Sequence, residues 1–599
     1  MKTLVSAVLV MLVLALFVPR TVYSSSDNFK TTADISYVVA TGGLVTVTHT
    51  IKIENLTTEL YVDKFTLKVA GTQPINPHAT ENNKNLLLLS SNTDDSWELV
   101  VTLDPVVGLG KTRNFEIVFE TSDFAFRSGS VWEIAIPGEV GNNVYDVTSV
   151  VLYTPSEFGK PAYISPSPTK QFQSADLFGF KFVSSDVPQN GLTAAFGEFQ
   201  MFDFNLNYHL ENPLTKTSDY SIAIPPDTTF QKVRYKVIDP TPSAITRDND
   251  GNWLALFTLK AREKIDIQVT GVVEIYSQPT TTISKQDDGY LDKLLAPSIV
   301  WQTTDTNIQS LANRLKTPKA IYDYVTAYLS YDYTKIRPNV ARLGAVDALA
   351  NPTRSICTEY TDLFVALSRA AGIPAREVNG FAYTQNPNIE PLSLVADVLH
   401  AWPEYWDKDK ASWVQVDPTW GSTTKGTDFF SKLDLRHFTF VVHGLDYQKP
   451  YPPGSYKLGP NPQKDVYVAL TQASFPPLRN SKIEFHVISN VPWADAIVEL
   501  IIENTGNVAM YDEDLQVLFD DKVVSIEKLA FLAPYAKYHK NLKIPFSFFA
   551  KSTPKMITVV FGIDSATFPT YEPGVKIVSI LATVFSLVVL SLIWLKKHS

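Results

Sequence analysis

The apolar positions of this chain change period twice. From residue 27 to about 280 they alternate with polar ones: Val45, Val47, Ile51 and Ile53 are interleaved with Thr46, Thr48, Thr50 and Lys52, the pattern of a half-buried strand. Leu99–Leu103, Phe115–Phe119 and Trp132–Ile136 read the same way, and clusters such as Pro137-Gly138 and Gly141-Asn142-Asn143 separate the runs. Short strands punctuated in this manner predict β-sandwiches. Trp97–Leu103 followed by Phe115–Phe119 is echoed by Trp253–Leu259 followed by Ile265–Val269. Each pair reads as the closing strands of its own sandwich, which predicts two sandwiches, 27–125 and 126–285. Asp248-Asn-Asp-Gly251 reads as a hairpin turn, because it lacks the later acidic ligand of a calcium loop.

From Asp305 the period becomes helical. Ile308, Leu311, Leu315, Ile321, Val325 and Leu329 recur at three and four, interrupted at Pro318, and Leu343–Leu349 predicts a further short helix. Ile356, Tyr360, Leu363, Phe364, Leu367, Ala370 and Ala371 predict a longer helix with one buried face, with Ser355 as N-cap and Gly372 just past its end. Strands follow at Glu377–Tyr383, Ala401–Trp406 and Ser412–Val416, the last two joined by the turn Asp407–Lys410. Helices followed by an antiparallel sheet predict an α+β domain over 290–447. A Pro-rich linker at 448–463 then leads into a third sandwich at 464–568.

Both ends are apolar. Met1-Lys2, the run Leu4–Val18 and compact residues near Ser24 have the layout of a secretory signal peptide over 1–24. Near the other end Ile577–Leu595 carries no charge and, as a helix, reaches about 28 Å, close to the hydrocarbon thickness of a bilayer. A transmembrane helix is predicted at 575–595, with a cytoplasmic tail at 596–599 that begins Lys596-Lys597. The expected location is a cell membrane, spanned once, with the large N-terminal part outside the cytoplasm. The net charge of −10 over 599 residues and the lack of a Lys/Arg-rich block argue against a nucleic-acid partner.

Cys357 is the only cysteine in the chain, so it has no internal disulfide partner. It falls in the first turn of the predicted central helix, where unpaired N–H groups and the helix dipole favour a thiolate. His400 opens one predicted strand and Asp417 closes the next, so antiparallel pairing can set them side by side. Thiol, imidazole and carboxylate supply a nucleophile, a base and a group that orients the base. Cys357, His400 and Asp417 are therefore the predicted catalytic residues. Trp402, with Trp406, Trp413 and Trp420, is a candidate wall of a substrate cleft, and Arg376 reads as a structural ion-pair partner. His437 and His443 read as structural. Nothing has zinc-ligand spacing, and no cofactor or metal is expected.

The residues Cys357-x-x-Tyr-x-x-Leu363, Arg369-Ala-x-Gly372-Ile-Pro-Ala-Arg376-x-Val-x-Gly380, His400-Ala-Trp402-x-Glu404 and Asp417-Pro-Thr419 resemble the transglutaminase-like superfamily. The resemblance implies a papain-related fold and carries the nucleophile onto Cys357, the base onto His400 and the orienting acid onto Asp417. Ser355 stands where the family usually has glycine two places before the cysteine. The expected function is a membrane-anchored, extracytoplasmic cysteine-dependent enzyme acting on protein or peptide amides through a thioester. Water as second reactant makes it a peptidase or amidase, and an amine makes it a cross-linking acyltransferase; the triad serves either. The alternative is a non-catalytic surface scaffold or adhesion protein that keeps the domain for binding.

Overall fold

The computed structural model describes residues 28–598 except 70–71, 94–95, 106, 138–145, 184–186, 188–190, 281–287, 337–339, 385–386, 388–389, 393–396, 398, 425–427, 432, 459–462, 490–493, 546–552 and 571–572, and except the side chains of 93, 573–580 and 598. The expected signal peptide, 1–24, lies outside the described residues.

The chain divides into two compact units between Gly197 and Glu198. The boundary expected near 125 is displaced to that point. Phe29–Val39 pairs in parallel with Asp146–Pro155, so strands from both sides of residue 125 share one sheet. Ile35, Val47, Ile117, Phe180 and Phe196 likewise share one core. Neither expected sandwich could close alone.

The second unit contains the remaining domains. Its first sandwich sets Gln231–Asp239, Lys264–Tyr276 and Phe199–Glu211 against Ser218–Ile224, Trp253–Leu259 and Ala244–Arg247. Trp253–Leu259 and Lys264–Tyr276 thus lie in opposite sheets and do not pair with each other. Val466–Leu470, expected to open the third sandwich, instead pairs with Phe199–Glu211 and completes this one. The third sandwich begins at Ser481–Ser489 and ends at Asp564–Pro569. The two sandwiches share one apolar core, in which the rings of Trp253 and Phe531 lie 5.3 Å apart.

Between these strands the predicted α+β domain is present. Its helices are α1 (Thr306–Leu315), α2 (Pro318–Tyr328), α3 (Ala345–Ala350) and α4 (Cys357–Ala370). Asp305 caps α1 through the amides of Asn307 and Ile308, and Pro318 takes the first position of α2 behind the cap Thr317. The sheet has β1 (Ala375–Ala382), β2 (His400–Asp407), β3 (Ser412–Gln415) and β4 (His437–His443), in the order β3-β2-β1-β4. A short helix, α5 (Pro418–Thr423), follows β3. The fourth strand is absent from the sequence expectation because Phe438-Thr-Phe-Val-Val442 is buried on both faces and shows no sustained alternation. One face of the sheet puts Ala375, Ala382 and Tyr405 into the core of α4, with Leu363 and Phe364. The other face puts Phe381, Phe438 and Phe440 into the sandwich core.

Helix α4 is buried on nearly every side rather than on the single predicted face. Its charged residues are consequently paired inside the protein: Glu359 with Lys335 at 3.1 Å, and Asp362 with Arg342 and with the indole of Trp301 at 2.9 Å. Gly372 follows the helix at φ +77°, the left-handed value expected at that position.

The last helix runs Pro573–His598. Among the described residues no helix is long and apolar enough to cross a membrane. The span expected at 575–595 falls partly outside them, because the side chains of its first residues are not described.

Candidate active site

Cys357 opens α4, and the residue that caps the helix is Ile356, not Ser355. Ile356 has no side-chain acceptor, so only half of a capping box exists: its N–H donates to Glu359 Oε2 at 2.9 Å. Ser355 is buried one residue earlier and accepts the Asp332 N–H at 2.8 Å. A serine at this position is accommodated without loss of the helix start.

His400 is the first residue of β2, across from Gly380 of β1. Asp417 follows β3 and caps α5. The two oxygens of Asp417 divide their tasks. Oδ1 accepts the N–H groups of Thr419 and Trp420 at 2.8 and 3.1 Å, which fixes the carboxylate, while Oδ2 faces His400 Nε2 at 2.9 Å. The other ring nitrogen, Nδ1, has no hydrogen-bond partner, and Cys357 lies near enough to act on the charge of the ring. The structure therefore joins His400 directly to Asp417 and sets Cys357 near the same ring.

The electrostatics follow from that geometry. Burial alone would lower the His400 pKa. The charge and hydrogen bond of Asp417, and after them the interaction with Cys357, outweigh it and raise the value to about 10. Burial would raise the Asp417 carboxyl, but His400 and then His437 hold it well below the usual carboxylate range. The arrangement favours an imidazolium resting against the Asp417 carboxylate.

Two tryptophans enclose the imidazole. Trp402 and Trp420 stack on His400 with centroids 5.8 and 5.3 Å away, and both are fully buried. This corrects the expectation that Trp402 lines a substrate cleft. His400, Trp402 and Glu404 alternate on one inward face of β2, so Trp402 is packing around the base, with a favourable ring face toward its cation. Trp413 lies 3.9 Å from the Arg376 guanidinium, and Trp406 packs edge-on against Trp413. Arg376 has the structural role expected of it, pairing with Glu404 at 2.5 Å.

His437 belongs to the site although sequence reasoning set it aside. Its Nε2 lies 3.4 Å from Asp417 Oδ2, an ion-pair separation, and its Nδ1 lies 2.8 Å from Asp434 Oδ1. The legible signal was Asp434-x-x-His437 opening a strand. A cavity of about 270 Å³ reaches His437 and Asp434 from the sandwich side and is not lined by Cys357. Cys357 itself has no exposed surface. Among the described residues His400, Asp417 and His437 bring metal-ligand atom types within 4.8 Å of one another. An ion there would displace the hydrogen bond that orients His400.

Residues 302–418 match the model of the transglutaminase-like superfamily, a stretch that contains Cys357, His400 and Asp417. This part of the chain is a transglutaminase-like domain. The protein-glutamine gamma-glutamyltransferase of Pseudomonas aeruginosa is 35% identical over 91 residues, which are 15% of this chain and 14% of that protein. The match thus spans a small part of the relative's length. Among solved structures, one from Cytophaga hutchinsonii assigned as a cysteine protease aligns with 47% of this chain and 94% of its own, at 16% identity and a TM-score of 0.32. The periplasmic domain of TgpA from Pseudomonas aeruginosa aligns with 37% and 91%, at 16% identity and a TM-score of 0.22.

Proposed function

We propose that this protein is a cysteine-dependent enzyme that acts on protein or peptide amides through a thioester. The observation that supports it most is the His400 ring, held by Asp417 at 2.9 Å on one nitrogen, with Cys357 near enough to act on its charge. In this reading the Cys357 sulfur attacks the amide carbonyl, His400 delivers its proton to the departing amine, and Asp417 keeps the ring turned toward the sulfur. A second reactant then enters with its proton going to His400. An amine gives acyl transfer and water gives hydrolysis. The name of the Pseudomonas relative favours glutamine as acyl donor and an amine as acceptor. The test is a glutamine-containing peptide offered with a labelled primary amine. Label incorporation that is lost in Cys357→Ala supports transfer, peptide cleavage lost in the same variant supports hydrolysis, and neither product would contradict the proposal.

The burial of Cys357 favours a second reading, a surface scaffold that retains the domain for binding. Iodoacetamide separates the two. An enzyme alkylates faster when folded than when denatured, because its thiolate is stabilised; a scaffold shows the reverse.

The proposal includes a membrane tether. Leu581, Val584, Phe585, Leu587, Val588 and Trp594 are all exposed, on several sides of the last helix. A helix meant for water carries polar residues on its outer face. Lipid around this helix would cover its surface, and Lys596 and Lys597 would then lie on the cytoplasmic side, with the catalytic domain outside. Retention in the membrane pellet after alkaline carbonate extraction is expected; release into the supernatant would remove the tether from the account.

A further inference from the structure

His437 is held the way a metal-binding histidine is held. Asp434 Oδ1 lies 2.8 Å from Nδ1 of its ring. A carboxylate in that place puts a proton on Nδ1 and turns Nε2 toward whatever it binds. Nε2 is buried and makes no hydrogen bond, and it faces Asp417 Oδ2 at 3.4 Å. A ring nitrogen and a carboxylate oxygen set face to face need a cation between them, either a proton on the ring or a metal ion. His400 Nε2 meets the same oxygen at 2.9 Å, so two imidazole nitrogens converge on Oδ2, and the three atoms lie within 4.8 Å of one another. Asp417 is steadied from behind, because its Oδ1 is taken by the N–H groups of Thr419 and Trp420. Ligands around tetrahedral zinc, at about 2.0–2.1 Å from the ion, stand about 3.3–3.4 Å apart. The two oxygen–nitrogen separations are close to that. There is also a way in. The cavity of about 270 Å³ ends at His437, beside Gln231, Gln415 and Thr439, and the exposed Lys410 and Gln278 on its wall open it to solvent.

We propose that His400, Asp417 and His437 form an inhibitory site for a divalent transition-metal ion, with zinc as the type. Two imidazole nitrogens and one carboxylate oxygen suit zinc, whereas calcium and magnesium ask for a shell of oxygens. The inhibitory role rests on the reading of Cys357 as nucleophile. The ion enters as the Nε2 protons leave. On His400 it takes the place of the proton shared with Asp417. The neutral ring then carries its one proton on Nδ1, the nitrogen that remains to serve Cys357. It can no longer accept the thiol proton, and its orienting carboxylate is engaged by the metal. The enzyme is silenced with no bond to its sulfur, and withdrawal of the ion restores it.

The test uses the full chain as wild type, Cys357→Ala, His437→Gln and Asp434→Asn, with Zn2+ for turnover and Co2+ as a coloured probe. Melting curves without metal first establish which variants are folded; should His437→Gln fail, Asp434→Asn decides. Cobalt is expected to bind wild type and Cys357→Ala at one equivalent, with the visible bands of a tetrahedral site and no sulfur-to-cobalt charge-transfer band. Competition gives the zinc affinity. It should fall by at least about 100-fold in His437→Gln and by about 10–100-fold in Asp434→Asn, which keeps the shape of the carboxylate behind the ring but not its charge. Zinc should abolish turnover of the glutamine peptide in step with occupancy, and EDTA should restore it. Absence of binding, or wild-type affinity in the folded variants, overturns the inference. So does loss of binding in Cys357→Ala, which would put the ion on the sulfur, and so does turnover that persists at full occupancy. A wild type that binds zinc as expected but never turns over the peptide keeps the metal site and loses its inhibitory role, together with the reading of Cys357 as nucleophile.

Discussion

Asp417 does two jobs with two oxygens, and only one of them is structural. Asp417→Asn can keep the cap on Thr419 and Trp420 while it removes the charge opposite His400. The His400 pKa then loses its main source of elevation, and burial pulls it down. The alkaline limb of kcat/KM, expected near pH 10 in wild type, should move to lower pH, and kcat should fall by roughly 10³–10⁴. An unmoved limb would show that another group titrates there. Stability follows the same pair with opposite signs. His400 titrates at 6.5 unfolded and about 10 folded, so its contribution is complete below 6.5 and is lost as pH rises through about 10. Asp417 is depressed when folded, so its contribution is present above its ordinary 3.8 and is lost as pH falls through the folded value. His437 helps to depress it. In His437→Gln the folded Asp417 value rises, and the thermal midpoint should fall off at higher pH on the acid side while the alkaline side barely moves. A pH series of melting curves checks this.

At the scale of elements, the site depends on a close approach between strands. A Cβ on Gly380 would run into the Phe438 carbonyl oxygen of β4 and come within 2.7 Å of Trp402 Cη2. Backbone cannot yield as a side-chain tip can. Gly380→Ala should therefore cost about 1–3 kcal/mol of stability in denaturant unfolding. It should also slow alkylation of Cys357, because Trp402 stacks on His400. Wild-type reactivity in that variant would mean that Trp402 does not position the base. Helices α1 to α4, strands β1 to β3 and the glycine after α4 were legible because each had a period or a punctuating residue. Strand β4 was not, since a strand buried on both faces loses the alternation that marks strands. With β4 went His437. Its side chain meets Asp417 only through a pairing, Ala382 with His437, that no local pattern encodes.

At the scale of the molecule, the transglutaminase-like domain is not a free-standing bead. The outer edge of β4 is closed by side-chain amides of the neighbouring sandwich. Gln231 exchanges two hydrogen bonds with the backbone of Thr439, both 2.9 Å, and Asn252 does the same with Val442 at 2.8 and 2.7 Å. Each amide stands in for a peptide group of a missing strand. Asp250, in the turn that resembles a calcium loop, accepts instead from the amides of Gly444 and Leu445 and from the Tyr290 hydroxyl. That turn is a latch onto the sheet that carries His400. Asn252→Leu should leave a buried N–H and C=O of Val442 unpaired and lower stability by about 2–4 kcal/mol, far more than a surface change would. If chemical denaturation of this variant matches wild type, the sandwich is only a neighbour and not a support. Domain order was legible from composition and period, whereas domain boundaries were not. Strand Val466–Leu470 and the sheet spanning residue 125 join segments distant in sequence, and only the closing of a common core decides where a domain ends.

The most direct test of the whole account is the mass of the enzyme itself during turnover. Rapid acid quench of the full chain with a glutamine peptide, followed by intact-mass and peptide-level mass spectrometry, should find the acyl group attached as a thioester to Cys357, absent from Cys357→Ala and accumulating when acceptor is withheld. A chain that turns over the peptide with no adduct on Cys357, or that forms none under any acceptor condition, would contradict it.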